Sequence, residues 1–512
     1  MEVSKIMKKF LKVLGIIVLI LLIILIVGYF YLRNTMGGTL ESNISTDENT
    51  TVEVSGGTIV GGVDDGIYTY LGIPYATATE RFVAATKASW EGVFDASKYG
   101  TISPQQSFFG SDGQDNNCLN LNIWTNGIND GEKRPVLVWF HGGGLTSGSA
   151  NQEDTNGRNL AEKENVVVVT VNHRLGVLAY LDLEGYGEKY ADSGNVGVLD
   201  MAASLQWIQD NIEVFGGDPD NVTIFGQSGG GAKVLALMTS PNAQGLFHKA
   251  INQSGATDIL GPVFATKEMS KRVTELTLNQ LNITEENIED LQTISFEELN
   301  AAGSAALSQV AEEFQIESPF GGSYMFEWMP VVDGNIIPTH PVTENGFAEC
   351  GYDIPLLIGS NLNEWEYRDS ETTPAIIEAF QKAYPNIDDA NASRVDAMLR
   401  APLRKITAHK ADQGGAPVYS YIMTYGAPNS THGFEIPLIF ANTSTEHETM
   451  SDIMSSVWAQ FARTGNPTIE GMPEWKPYTR EEGATMLLDI DSSLGYNHDE
   501  ALLNLLKPDY NY

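Results

Sequence analysis

The chain has 512 residues, 42% hydrophobic and 9% aromatic, which supports a large buried core and argues against general disorder. Acidic residues number 66 against 30 basic, a formal charge of −36. That balance argues against a nucleic-acid partner, whose phosphates need basic neutralisation, and against an anionic membrane surface as partner of the main domain. The only cysteines are Cys118 and Cys350, too few for a disulfide framework or a multi-cysteine metal site.

Lys5, Lys8, Lys9 and Lys12 precede an uncharged apolar run, Val13–Leu32, that Arg33 closes. A run of about 20 residues crosses the hydrocarbon core as a helix. A signal peptide's apolar region is shorter and ends in a small-residue cleavage site, and none follows here. Tyr29, Phe30 and Tyr31 suit an interfacial aromatic belt, and the excess of lysines before the run puts everything after Arg33 outside the cytoplasm. Residues 1–34 are therefore expected to be a transmembrane signal anchor in the cell membrane, with membrane contact through this helix only. Residues 35–56 lack an apolar period and read as a flexible tether. Residues 57–512 are expected to hold the catalytic domain.

Beyond the tether, short β-branched runs alternate with amphipathic stretches. Pro135–Phe140, Val166–Val171, Val222–Phe225, Ile354–Ile358 and Val418–Ile422 read as strands buried on both faces of a mostly parallel sheet. The stretch from Asp200 to about Phe215 reads as a helix between them, so the predicted class is α/β, with helices on both faces of the sheet. From Lys267 to about Phe314 the chain is acidic and helix-like, with a capping-box pattern at Ser295–Glu298, and is expected to be a helical insertion over one end of the sheet.

Gly226-Gln-Ser-Gly-Gly230 is a G-x-S-x-G pattern between the strand at 222–225 and the helical stretch after Ala232. A nucleophile elbow needs that context, because a sharp strand-to-helix turn exposes the serine oxygen. In a chain with 50 glycines the bare pattern also arises as an ordinary glycine-rich turn. His141-Gly-Gly-Gly144 follows the strand at 135–140; consecutive glycines let backbone N–H groups converge on a developing oxyanion. A phosphate-cradling turn is the rival reading, but the Lys-Ser/Thr of a P-loop is missing. His141 itself reads as structural. A general base and its orienting acid should follow Ser228 in the order Ser, Asp/Glu, His. Glu364 and His432 lie just past the strands at 354–358 and 418–422, where site residues collect. The pattern alone leaves Glu366, Asp369 and Asp353 open as the acid, and His409, His447 and His498 open as the base.

Ordered motifs extend this pattern: Tyr70–Ala76 with Arg81-Phe82, Cys118–Trp124, His141–Gly144, Asn172–Gly176, Asn195–Asp200, Phe215–Gly230, Pro330–Gly334, the Glu364 segment, His432–Glu435 and Phe461–Pro467. In these the chain resembles the type-B carboxylesterase/lipase family, the cholinesterase-like branch of the α/β-hydrolases, from about Gly57 to Leu488, and bacterial para-nitrobenzyl esterases in particular. The resemblance implies the α/β-hydrolase fold and a serine hydrolase of small carboxylic esters that needs no cofactor or metal. It implies Ser228 as nucleophile, His432 as base and Glu364 as acid, with Gly143, Gly144 and Gly229 as oxyanion donors and Ser254, Glu435 and Gln227 around them. Relatives usually carry Glu-Ser-Ala at the elbow. Gln227 removes a carboxylate beside the serine, which points to neutral rather than choline-like esters, and Gly229 is expected to loosen one donor. Relatives bridge the cysteine matching Cys118 to an earlier one; Ser103 stands roughly where that partner would be, so Cys118 is expected to be free. A catalytically silent binding protein, and a lipase, amidase or carbamate hydrolase, remain as alternatives.

Overall fold

The computed structural model describes residues 44–106, 113–255, 264–319, 321–344, 346–365, 372–508 and 510. The Val13–Leu32 run, and with it the expected anchor, lies outside the described residues; among these no helix is long and apolar enough to cross a membrane.

An 11-stranded sheet organises the described residues. Its strands in chain order are β1 (Gly62–Asp64), β2 (Ile67–Pro74), β3 (Asn120–Thr125), β4 (Arg134–Phe140), β5 (Val167–Val171), β6 (Gly217–Gln227), β7 (Lys249–Gln253), β8 (Leu356–Asn361), β9 (Val418–Met423), β10 (Ala484–Leu488) and β11 (Ser493–Tyr496). In space they run β11-β10-β9-β8-β7-β6-β4-β5-β3-β2-β1. Every pairing from β10 across to β5 is parallel. The flanking pairings of β3 with β5 and β2, of β2 with β1, and of β10 with β11 are antiparallel. The sheet is thus mixed. Its parallel centre matches the expectation, and antiparallel edges correct it.

The central strands divide their side chains by the period of two that a pleated strand imposes. Val136, Val138 and Phe140 of β4 face one core with Val167, Val169 and Ile224, whereas Leu137, Trp139, Val168 and Phe225 face a second. Helices α2 (Val196–Asn211) and α3 (Gly229–Thr239) pack on the first face; α1 (Arg158–Glu164) and α7 (Glu448–Thr464) pack on the second. Because helices cover both faces, these strands read as continuous apolar runs rather than as alternation.

The acidic stretch after Lys267 forms α4 (Lys267–Leu281) and α5 (Phe296–Glu313), joined through a 3-10 stretch, Glu285–Gln292. Thr266 and Ser295 cap them, each hydroxyl accepting a backbone N–H three residues on, from Met269 and Glu298; such a cap contributes about 1 kcal/mol. The insertion is tied down where Arg81 Nη1 donates to the Ile294 carbonyl at 2.6 Å and Thr274 Oγ1 to the Asp182 carbonyl at 2.8 Å.

The expected tether ends too late. Val52–Val54 pairs antiparallel with Gly57–Val60, Thr50 and Val52 are buried, and the Tyr70 hydroxyl donates to the Thr50 carbonyl. Apolar period cannot show over a three-residue strand, so composition alone mistook the start of the domain for a linker. Cys118 is free, as expected, and so is Cys350. Burial pushes the Cys118 thiol up to about 12, and the Ser103 hydroxyl is its hydrogen-bond neighbour.

After β5 the chain turns through Asn172–Gly176 over a fully buried ion pair. Arg174 Nε and Nη2 donate to the two oxygens of Asp200 at 2.7 and 2.6 Å, and Nη1 donates to the Val83 carbonyl at 2.7 Å. That turn in turn holds the glycine loop after β4, since Gly176 N donates to the Leu145 carbonyl at 2.7 Å. Asp200→Ala would strand the guanidinium without its partner. The expected loss is about 3–5 kcal/mol of unfolding free energy in urea titrations; a loss below about 1 kcal/mol would show that the pair is not what holds this turn.

Candidate active site

Ser228 stands between the last residue of β6 and the first of α3, at φ 58°, ψ −125°. Its backbone N–H donates to the Gln253 carbonyl of β7 at 2.8 Å, and its carbonyl accepts from Ala232 N at 3.1 Å. The turn is crowded by backbone: a Cβ on Gly230 would overlap the Phe140 carbonyl, and one on Gly229 would overlap the carbonyl of Gly144. Gly229 was expected to loosen this region. Instead it lets the glycine loop lie directly against the start of α3, closer than an alanine would allow.

That loop leaves β4 at Phe140. Gly143 and Gly144 adopt φ 92° and 62°, a region open to glycine without strain. Ser147 N and Oγ both donate to the Gly143 carbonyl, at 3.0 and 2.8 Å. Gln105 brackets the far end, accepting from Gly148 N and donating to its carbonyl. His141 is buried beneath the loop, stacked on His173 at 5.1 Å, with its imidazole pushed well below the ordinary range by burial and by Lys233. It is structural, as expected. Lys233 of α3 is itself buried, donates to the His141 carbonyl at 2.8 Å, and burial pushes its amine down to about 7.

His432 Nδ1 lies 2.5 Å from Glu364 Oε2. The buried Glu364 carboxylate also accepts from Ser254 Oγ at 2.5 Å and from Asn361 N at 2.8 Å, both on Oε1. An acceptor on Nδ1 assigns the proton there and leaves the lone pair on Nε2. Nε2 faces the Gln227 amide nitrogen at 3.2 Å. Glu435 lies behind this group, accepting from Gln253 Nε2 at 3.2 Å and Asn361 Nδ2 at 2.7 Å. Burial first, and the charge of Glu364 second, push its carboxyl up to about 7.

One cavity of about 440 Å³ collects these parts: Gly143, Gly144, Gln227, Ser228, Gly229, Ser254 and His432 all line it. Glu364 sits behind His432 and Glu435 behind Asn361, off the cavity. The competing residues are elsewhere or outside the described set. Glu366 and Asp369 are not among the described residues, Asp353 is exposed on the surface, His447 bonds the Tyr425 hydroxyl, His409 lies on α6 (Arg400–Asp412), and His498 is buried beside Asp499 and Arg400. The sequence reading missed most of the wall. Trp328, Met329, Phe264, Leu399, Glu327 and Trp365 come from distant segments, and Trp365 lies 3.9 Å from the His432 ring, centroid to centroid. No local pattern marks them, because only the tertiary fold brings them to Ser228. Among the described residues no group of acidic, histidine or cysteine side chains is arranged to hold a metal.

The carboxylesterase family model matches residues 48–393 and 378–504. The chain belongs to the carboxylesterase family. Relatives include a para-nitrobenzyl esterase of Bacillus subtilis (strain 168), 32% identical over 86% of this chain and 94% of that protein. A cocaine esterase of Homo sapiens is 31% identical over 83% of this chain and 84% of that protein. Among solved structures, an esterase from Clostridium hathewayi described as able to hydrolyse aliphatic aromatic polyesters superposes with a TM-score of 0.80. It is 32% identical and covers 91% of this chain and 99% of that one. The protein is a carboxylic ester hydrolase on the α/β-hydrolase fold.

Glu435 gives this carboxylesterase a readable pH signature. With its carboxyl raised from 4.5 to about 7, the folded state keeps a proton that the unfolded chain sheds. The resulting stability is fully present below pH 4.5 and is lost as pH rises through about 7. Glu435→Gln should flatten the fall of the thermal unfolding midpoint across that window. An unchanged slope would place the titrating group elsewhere.

Proposed function

We propose that Ser228 is the nucleophile, His432 its general base, and Glu364 the acid that orients the base. The observation that supports this reading most is the His432–Glu364 contact at 2.5 Å on the wall of the same cavity as a serine held at an elbow. In this cycle Ser228 Oγ takes the place of the Gln227 amide at His432 Nε2. The imidazole accepts the hydroxyl proton as Oγ attacks the ester carbonyl, and Glu364 stabilises the imidazolium. The backbone N–H groups of Gly143, Gly144 and Gly229 receive the oxyanion; each such donor contributes roughly 10²–10³ in rate. His432 returns the proton to the departing alcohol. Water then repeats the sequence on the acyl-enzyme, releasing the acid and restoring Ser228.

Ser254 and the Asn361 N–H fix the Glu364 carboxylate from behind, so the imidazole has one orientation to adopt. The largely apolar wall supports small esters with hydrophobic acyl or aryl parts, a preference that the names of the relatives also favour. The apolar run at Val13–Leu32 and its lysines support a second element of the reading, an enzyme tied to the cell membrane by residues 1–34 with its catalytic domain outside. The intact mass of protein extracted from membranes tests that element; loss of Met1–Asn34 would contradict it.

Wild-type protein should hydrolyse p-nitrophenyl butyrate and be labelled by a fluorophosphonate. Ser228→Ala should lose turnover by at least about 10⁴-fold and lose labelling, with an unchanged unfolding midpoint. Substantial turnover in a folded Ser228→Ala variant would remove Ser228 from the mechanism.

A further inference from the structure

The catalytic cavity contains one feature that hydrolysis of a neutral ester does not use. Among its described lining residues Glu327 is the only acidic side chain. It is half-buried, and burial raises its carboxyl above the ordinary range, with no offsetting charge or hydrogen bond among the described residues. Its Oε2 lies 3.6 Å from where a Cβ on Gly144 would stand, which puts it beside the loop assigned to the oxyanion. It is also in the wall between two cavities. A second space of about 460 Å³ shares Thr146, Glu327 and Trp328 with the catalytic one and is bordered by Asn300, Ser304 and Ser308 of α5.

A carboxylate partly withdrawn from water gains from a cationic partner. An ionised carboxylate at this place works against the reaction, because it repels the negative charge that develops on the ester oxygen. A cation seated against Glu327 relieves that repulsion as well. The surrounding surface suits one: Trp328 is the next residue, Trp365 lines the same cavity, and indole faces attract ammonium groups. At the elbow, the neutral Gln227 occupies the place where a carboxylate would otherwise compete for that cation.

We propose that Glu327 is a specificity-determining residue that selects esters carrying an ammonium group, which it binds at the junction of the two cavities. The proposal rests on the assignment of Ser228, His432 and the glycine loop to the reacting centre. It reverses the preference for neutral esters that Gln227 alone suggests, since the carboxylate missing beside the serine is supplied from beside the glycine loop.

Two matched ester pairs test it, each differing by a nitrogen cation against a neutral carbon. With the charge on the acyl side the pair is p-nitrophenyl 4-(trimethylammonio)butanoate and p-nitrophenyl 5,5-dimethylhexanoate. With the charge on the alcohol side it is 2-(trimethylammonio)ethyl butyrate and 3,3-dimethylbutyl butyrate. The ratio of kcat/KM, cationic over neutral, is measured for the full-length wild type and for Glu327→Gln, with unfolding midpoints as a control for folding. In at least one pair the ratio should fall by about tenfold or more in Glu327→Gln, the size of one well-placed charge contact, through loss on the cationic ester. Ratios unchanged within twofold in both pairs, or equal losses on cationic and neutral members, would overturn the proposal. Failure of the wild type to turn over either neutral ester or p-nitrophenyl butyrate would instead count against the reading of Ser228 on which it rests. If Glu327→Gln does not fold, Glu327→Asp, which withdraws the charge by one methylene, should reduce the same ratio; an undiminished ratio there overturns the proposal equally.

Discussion

A serine held at φ 58°, ψ −125° is in backbone territory that costs of order 1–3 kcal/mol and persists only where its surroundings leave no alternative. Here the surroundings are almost entirely main chain. The Ser228 N–H is bound by β7, its carbonyl by α3, and the flanking glycines are pressed against the carbonyls of Phe140 and Gly144. Three strands, one helix and one loop therefore meet at a single residue. The parallel centre of the sheet is what brings them there, because it ends β4, β6, β7, β8 and β9 on the same side, where loops at carboxyl ends of strands build sites.

The polar groups behind the elbow extend the same logic. Glu364 is buried with its carboxylate divided between Ser254 and Asn361 on one oxygen and His432 on the other. A second buried carboxyl, Glu435, shares Asn361 with it and responds to its charge. The charge of Glu364 helps keep the Glu435 carboxyl protonated, so Glu435 is part of the electrostatic setting in which His432 works. Trp458 closes the network by donating to Gln253 Oε1 at 3.1 Å, which links the site to the core under α7.

How much of this was legible in the sequence follows from what each segment buries. Val136–Phe140 and Val167–Val171 face apolar layers on both sides, so their composition announces them as strands. Asn120–Thr125 is equally buried but was not predicted from its residues. Asn122 is fully buried, with its amide satisfied by Thr170, Asn151 and the Ala150 carbonyl, and a strand that buries hydrogen-bonded polar side chains carries no apolar run. Lys249–Gln253 hides for the same reason, since Asn252 and Gln253 are buried and bonded. At the site, Ser228 and the glycine loop were legible because their chemistry demands a local pattern. Glu364 and His432 needed family resemblance to be chosen over their neighbours. Glu327 and Trp365 were invisible, because a cavity wall is a property of the assembled fold.

The central claim is that an ester's acyl group passes through Ser228 Oγ. It is tested most directly by stopping the reaction with p-nitrophenyl butyrate in acid within the first turnovers and mapping the digested protein by mass. The account predicts a single butyryl adduct on the peptide containing Gly226–Gly230, localised to Ser228 and disappearing as the substrate is exhausted. A butyryl group on another residue, or steady turnover with no adduct on that peptide, would contradict it.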